Sequence, residues 1–239
     1  MYGIFIGLIA VLTFLAIMFG PNAWRLYKVA HLFDKNSISY NFINMKEFFP
    51  TSTPIKASED PYTFNKIDNF IMPDTYEFEG EEKQIIESID YFNTDGLMIL
   101  KDGEVHYENY WNENKETSRH IIWSVSKSFL SALVGIALDE GLIEDINDPI
   151  IKYLKDFKGT GYEGVSIKNL LQMSSGIEFN EDYGDPDSDI NRYGRVTATG
   201  TSQREFAKTL KNSREPGTYN HYISCLLYTS DAADEHRRV

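Results

Sequence analysis

Trp123-Ser124-Val125-Ser126-Lys127-Ser128-Phe129 places a hydroxyl and an amine three residues apart at the entrance to an apolar helix. A serine hydroxyl is a weak nucleophile near neutral pH, so a neighbouring group must take its proton as it attacks a carbonyl. Positions i and i+3 share one face of a helix, which puts the Lys127 amine within reach of Ser124 Oγ. Lysine serves as that base only when it is partly deprotonated, which calls for desolvation or a nearby positive potential. A helix N-terminus supplies some of that potential and offers backbone N–H groups to a developing oxyanion. Phe129, Leu130, Leu133, Val134, Ala137 and Leu138 follow at helical spacing, and Gly141 stands where a C-terminal cap belongs. The periodicity predicts a buried helix with Ser124 at its rim.

Four letters of the form S-x-x-K are a weak signal alone, since a capping serine and a solvated lysine give the same pattern. The surroundings add four more pieces in order. Gly96 to Glu108 reads as a hairpin whose Asp102-Gly103 turn joins two apolar runs. Glu140 to Pro149 reads as the helix exit and its following loop. Leu170-Leu171-Gln172-Met173-Ser174-Ser175-Gly176-Ile177 and Pro216-Gly217-Thr218-Tyr219-Asn220-His221-Tyr222-Ile223-Ser224 complete the set. From about Asp95 to Ser224 these pieces resemble the serine beta-lactamase and penicillin-binding-protein superfamily. The resemblance is to its class C beta-lactamase-like branch, which includes esterases, D-aminopeptidases and 6-aminohexanoate-dimer hydrolases.

The resemblance implies an α+β fold, a beta-lactamase/transpeptidase-like antiparallel sheet flanked by helices. It makes Ser124 the nucleophile and Lys127 its base. The family spacing of Pro-Gly-Thr, three variable residues and Tyr-x-Asn or Tyr-x-Ser selects Tyr222 and Ser224, not Tyr219. A phenol near Lys127 can share proton transfer. Ser224, a candidate substrate-binding residue, stands where many beta-lactamases carry asparagine, which shifts weight toward esterase or amide hydrolase members. Ser126 and Ser128 are expected to support the helix, and Trp123 to wall the pocket or core.

Cys225-Leu226-Leu227-Tyr228-Thr229-Ser230-Asp231-Ala232-Ala233-Asp234-Glu235 resembles the conceptual translation of a sequencing-library adaptor. Residues 225–239 are therefore set aside from fold reasoning as a non-biological tail. The single cysteine, Cys225, falls in that tail, so cysteine usage implies nothing about disulfides or redox compartment. The family's third motif, a Lys-Thr-Gly or His-x-Gly triplet on a strand lining the site, is expected beyond Ser224, where this sequence carries no such triplet. The expectation is an incomplete sheet with an open edge, an uncovered helix, and a fragment without turnover.

Met1 to Phe19 carries no charged side chain. As a helix it would span roughly 28 Å, close to the hydrocarbon thickness of a bilayer. Residues 1–20 are expected to form a single-pass anchor or uncleaved signal, with Trp24, Arg25, Tyr27 and Lys28 at the interface; a cleaved signal peptide is the rival, but no basic n-region or clear Ala-x-Ala site precedes Arg25. Arg25 and Lys28 favour a cytoplasmic enzyme by the positive-inside rule, whereas the resemblance implies an extracytoplasmic one, and the latter is the expectation. Residues 34–77 read as linker with turns, in which Phe48, Phe49, Phe64 and Phe70 suggest packing. Residues 78–224 read as the N-terminal part of the hydrolase domain. Glu81 to Tyr91 reads as a helix burying Ile85, Ile86, Ile89 and Tyr91.

A net charge of -13 with no clustered basic patch argues against nucleic acid. Glu178 to Asp189 is the densest acidic stretch. Its Asp185-Pro186-Asp187-Ser188-Asp189 alternation lacks the central glycine and terminal glutamate of an EF-hand, so it reads as a solvated loop over the site mouth. Asp182 and Asp185 are candidate substrate-binding carboxylates for a cationic amine. His106, His120 and His221 lack metal-ligand spacing and read as packed or surface residues. No metal or organic cofactor is implied. The expected activity is hydrolysis of an ester or amide, small or peptide-like, through an acyl-enzyme on Ser124. The alternatives are a D,D-peptidase or beta-lactamase, and a silent membrane-anchored sensor or binding module.

Overall fold

Asp102 and Gly103 both adopt positive φ, 52° and 80°. That is the backbone a two-residue type I′ hairpin turn demands, and glycine meets the demand without a Cβ penalty. The turn joins two antiparallel strands, Gly96–Lys101 and Glu104–Tyr110. The structure is a computed structural model that describes residues 20, 23–48, 54–67, 69–199 and 202–226. It divides into two compact units, Met1–Ile121 and Ile122–Val239.

In the first unit a helix covers residues 23–30 (α1). It is followed by α2 (Ile38–Ile43), β1 (Asn65–Lys66), β2 (Thr75–Phe78), β3 (Glu81–Gln84), α3 (Ile85–Tyr91), β4 (Gly96–Lys101) and β5 (Glu104–Tyr110). One sheet has the order β1-β5-β4, and β2 pairs with β3 in a second. Leu97 and Ile99 turn inward while Met98 and Leu100 are exposed, the alternation of a strand with one covered face. A register shift falls between Ile99 and Leu100.

Several expectations change here. β1 joins the sheet in parallel, pairing Asn65 with Glu104 and Lys66 with Val105, so the sheet is not wholly antiparallel. The stretch 34–77 holds α2, β1 and most of β2, with Phe48 buried and Phe70 edge-on to Tyr107 at 6.0 Å. Phe49 lies outside the described residues. Glu81–Gln84 is strand, and the helix begins only at Ile85. Ile85 and Ile89 are half-buried, whereas Ile86 and Tyr91 are exposed. Met1–Phe19, expected as an anchor, also lie outside the described residues; among the described residues no helix is long and apolar enough to cross a membrane.

The second unit is helical. A 3-10 turn at Trp123–Val125 runs into α4 (Ser126–Asp139), followed by α5 (Ile167–Leu171), α6 (Asp189–Thr199) and α7 (Gln203–Lys208). Ser166 caps α5 in a capping box with Asn169, and Ser202 caps α7 by accepting from Glu205 N–H. Phe157, Tyr162, Val165, Leu170 and Ile223 are buried at the centre. Full burial of such aliphatic or phenyl side chains contributes about 1.5–3 kcal/mol each.

α4 lies where the periodicity placed it, with Gly141 just beyond its last turn at φ 70°. The helix is only partly buried, short of the buried helix that the periodicity predicts, although an uncovered helix is also expected of an incomplete sheet. Val134 and Ala137 face the core and Leu130 and Leu138 pack at its edge, but Phe129 and Leu133 are 64% and 53% exposed. Cys225 and Leu226, set aside as tail, are buried in this core, and burial pushes the Cys225 thiol up to about 12. Residues 227–239 lie outside the described residues.

Candidate active site

Trp123 has φ 41°, a backbone region that a bulky side chain rarely occupies. This turn precedes the helix and presents Ser124 outward. It is held by Val125 N–H donating to the Ile122 carbonyl at 2.9 Å and Ser126 Oγ–H donating to the Trp123 carbonyl at 2.6 Å. Ser126 therefore serves the turn, as expected. One helical step on, Lys127 Nζ donates to Ser124 Oγ at 3.0 Å. The Tyr222 hydroxyl lies 2.5 Å from the same oxygen, and Lys127 Nζ is 5.4 Å from the centre of the Tyr222 ring. Ser124, Lys127 and Tyr222 thus meet at one atom.

Tyr222 arrives from 98 residues away in sequence, carried by a segment laced to the Leu170–Ile177 element. Gly217 N–H donates to the Ser174 carbonyl at 2.7 Å and His221 N–H to the Met173 carbonyl at 2.7 Å. Asn220 Nδ2 donates to the Gln172 carbonyl at 2.9 Å. Gly176 has φ 74°, and a Cβ there would fall 2.1 Å from the Arg214 carbonyl oxygen. Its own carbonyl accepts from Ser213 and Arg214 N–H. The Ser-Ser-Gly and Pro-Gly-Thr motifs are therefore two halves of one backbone junction. Tyr219 packs under the Arg214 guanidinium, 4.0 Å from its ring centre, so the spacing that selected Tyr222 selected the phenol that meets Ser124.

The acidic loop is held by bonds within itself. Asp182 Oδ1 accepts from Gly184 N–H at 2.8 Å, and Asp185 Oδ1 accepts from Asp187 N–H at 2.9 Å, so both carboxylates hold the loop's own turns. The carboxylate that reaches the tyrosine segment belongs to Glu181. Its Oε2 accepts from Ser224 N–H at 3.1 Å and its Oε1 from the Ser224 hydroxyl. Glu181 sits in the acidic run visible in sequence, but nothing local distinguishes it from its neighbours. The histidines are held by ordinary bonds: His106 to Asn69, His120 to Asp95, and His221 Nε2–H to the Phe179 carbonyl. Among the described residues, no three His, Cys, Asp or Glu side chains are placed to hold a metal.

A serine at a helix entrance, bonded by a lysine one turn on and a tyrosine from a distant motif, is set in a fold of the beta-lactamase-like class. Residues 83–225, more than half of the chain, match the family model described as Beta-lactamase. The chain belongs to that family, within the serine beta-lactamase and penicillin-binding-protein superfamily. A 6-aminohexanoate-dimer hydrolase of Paenarthrobacter ureafaciens is 33% identical over 135 residues, covering 54% of this chain and 34% of the relative. A beta-lactamase of Pseudomonas fluorescens is 30% identical over 107 residues, covering 41% of this chain and 30% of the relative. The chain thus spans about a third of the length of these curated relatives. A solved structure from Bacillus anthracis, provisionally described as a 6-aminohexanoate-dimer hydrolase, superposes with a TM-score of 0.64 at 19% identity. The match covers 85% of this chain and 56% of that one, and it carries the fold alone.

Proposed function

We propose that the protein hydrolyses an amide or ester through an acyl-enzyme on Ser124. The observation that carries this reading is the convergence of Lys127 Nζ and the Tyr222 hydroxyl on Ser124 Oγ, at 3.0 and 2.5 Å. Oγ attacks the carbonyl carbon while its proton passes to the Tyr222–Lys127 pair. The tetrahedral intermediate collapses as the C–N or C–O bond breaks, and the departing nitrogen or oxygen takes that proton. Water then attacks the acyl-enzyme, the same pair accepts its proton and returns it to Ser124, and the acid leaves. The name of the Paenarthrobacter relative supports an amide substrate, and that of the Pseudomonas relative supports a beta-lactam as the second reading.

A fluorophosphonate probe tests the nucleophile. The chain is expected to take the label on Ser124, and the Ser124→Ala variant to take none. An unlabelled wild-type chain would sink Ser124 as nucleophile in this chain, and the same probe on a chain that also carries the third motif divides an enzyme from a silent binding module. An acyl burst with p-nitrophenyl esters but not with nitrocefin favours the esterase or amidase reading, and the reverse favours the beta-lactam one. The apolar, uncharged run Met1–Phe19 supports membrane attachment, and the family resemblance alone supports a catalytic unit outside the cytoplasm. Carbonate washing should leave such a chain in the membrane pellet; its release into the supernatant would count against the anchor.

A further inference from the structure

Tyr222 is 43% exposed, so packing of its own ring does little to fix it. Its place is set instead by the residues on either side: His221 N–H is held by the Met173 carbonyl at 2.7 Å, and two further anchors come from the short stretch Phe179 to Glu181. On the N-terminal side, His221 Nε2–H donates to the Phe179 carbonyl at 3.0 Å. On the C-terminal side, the Glu181 carboxylate takes Ser224 with both oxygens, Oε2 from the N–H at 3.1 Å and Oε1 from the hydroxyl. The Tyr183 hydroxyl donates to the same Oε1 at 3.3 Å. Between the anchors Ile223 is fully buried, which fixes which face of the segment turns outward.

We propose that Glu181 is a positioning residue for the proton relay, its carboxylate fixing Ser224 and so holding the Tyr222 hydroxyl on Ser124 Oγ. The inference rests on the reading of Ser124 as nucleophile. Hydrogen bonds to an ionised carboxylate are roughly twice as strong as neutral ones, and two of them on one residue fix orientation as well as distance. Removing the carboxylate leaves the Ser224 N–H and hydroxyl without this partner in a half-buried place, and the segment relaxes to find water. Asp182 and Asp185 have no such effect, because they close turns within the loop.

The test compares Glu181→Ala, Glu181→Gln, Ser224→Ala and the Glu181→Ala/Ser224→Ala double variant in the full chain. Fluorophosphonate labelling is resolved into a maximal rate and a half-saturating concentration, and amide exchange is followed over residues 219–226. Glu181→Ala should lower the maximal rate about tenfold or more while the half-saturating concentration stays within about twofold. Glu181→Gln keeps one carbonyl acceptor for Ser224 but loses the charge and the second acceptor, and should recover only part of that rate. Adding Ser224→Ala to Glu181→Ala should cost nothing further, because both act through one contact. Exchange at the Ser224 amide should rise in Glu181→Ala. An unchanged labelling rate, strictly additive variants, or unchanged exchange overturns the proposal. A wild-type chain that takes no label overturns the nucleophile reading and the relay role with it, and the exchange measurement separates that result from a failure of the clamp.

Discussion

Ser124 Oγ has one proton to lose and two partners of different character, a cationic or neutral amine at 3.0 Å and a phenol at 2.5 Å. Attack on a carbonyl needs the proton taken and then handed to the leaving group, which a phenol and an amine can do jointly and neither can do by charge alone. Tyr222→Phe removes the hydroxyl and keeps the ring. It should lower the labelling or acylation rate of Ser124 by about 10²- to 10³-fold. Lys127→Arg keeps a cation beside Oγ but offers no group that can be deprotonated, so it should fare no better than Lys127→Ala. An arginine variant near the wild-type rate would show that Lys127 acts only through its charge. The residues of this trio are legible in the sequence because each sits at a fixed offset inside a motif. Glu181 is not, because its partner Ser224 is 43 residues away and its acidic neighbours look the same.

At the scale of elements, what is legible is what local periodicity and turn chemistry dictate. The β4–β5 hairpin follows from alternation around Asp102-Gly103, and α4 follows from apolar spacing ended by Gly141. Glu81–Gln84 reads as helix in the sequence because four residues before a helix can extend its pattern, and only pairing with Thr75–Phe78 makes them strand. The exposure of Phe129 and Leu133 is hidden for a related reason, since periodicity marks an apolar face without showing what covers it. Two glycines separate local from long-range demands. Gly176→Ala places a Cβ against the Arg214 carbonyl oxygen at positive φ, and should destabilise by about 2 kcal/mol or more. Gly135 lies within α4, and a Cβ added there would meet nothing within 4 Å, so Gly135→Ala should stabilise by about 0.5–1 kcal/mol. Urea midpoints at a constant slope measure both, and equal shifts would mean the Gly176 junction yields easily.

For the whole molecule, the acidic balance sets how stability responds to pH. With a net charge of -13, acidification first relieves repulsion among carboxylates and then removes the ion pairs that individual carboxylates make. Asp156 is where the second effect is most specific. Arg204 approaches it with Nε at 3.1 Å from Oδ2 and a terminal nitrogen at 2.8 Å from Oδ1, and Lys208 Nζ adds a contact at 3.3 Å. These bonds tie α7 to the turn at Lys155–Phe157, with Asp156 and Arg204 48 positions apart in the chain. The Arg204 guanidinium holds the Asp156 carboxyl at about 2, against an ordinary value of 3.8. A depressed carboxyl stabilises the fold in full above its unfolded value, and that contribution fades as pH falls through the folded one. Asp156→Asn should therefore melt below the wild-type chain near pH 6, and the gap should close between about pH 4 and pH 2 as the wild-type carboxyl also becomes neutral. The side chain is 42% exposed, so solvent screens the pair and the gap will be modest. General relief of repulsion acts on both chains alike, which makes the difference between their melting curves the informative quantity. A gap of constant size down to pH 2 would mean that Asp156 contributes by packing and hydrogen bonding alone, and that its charge does not help hold α7 in place.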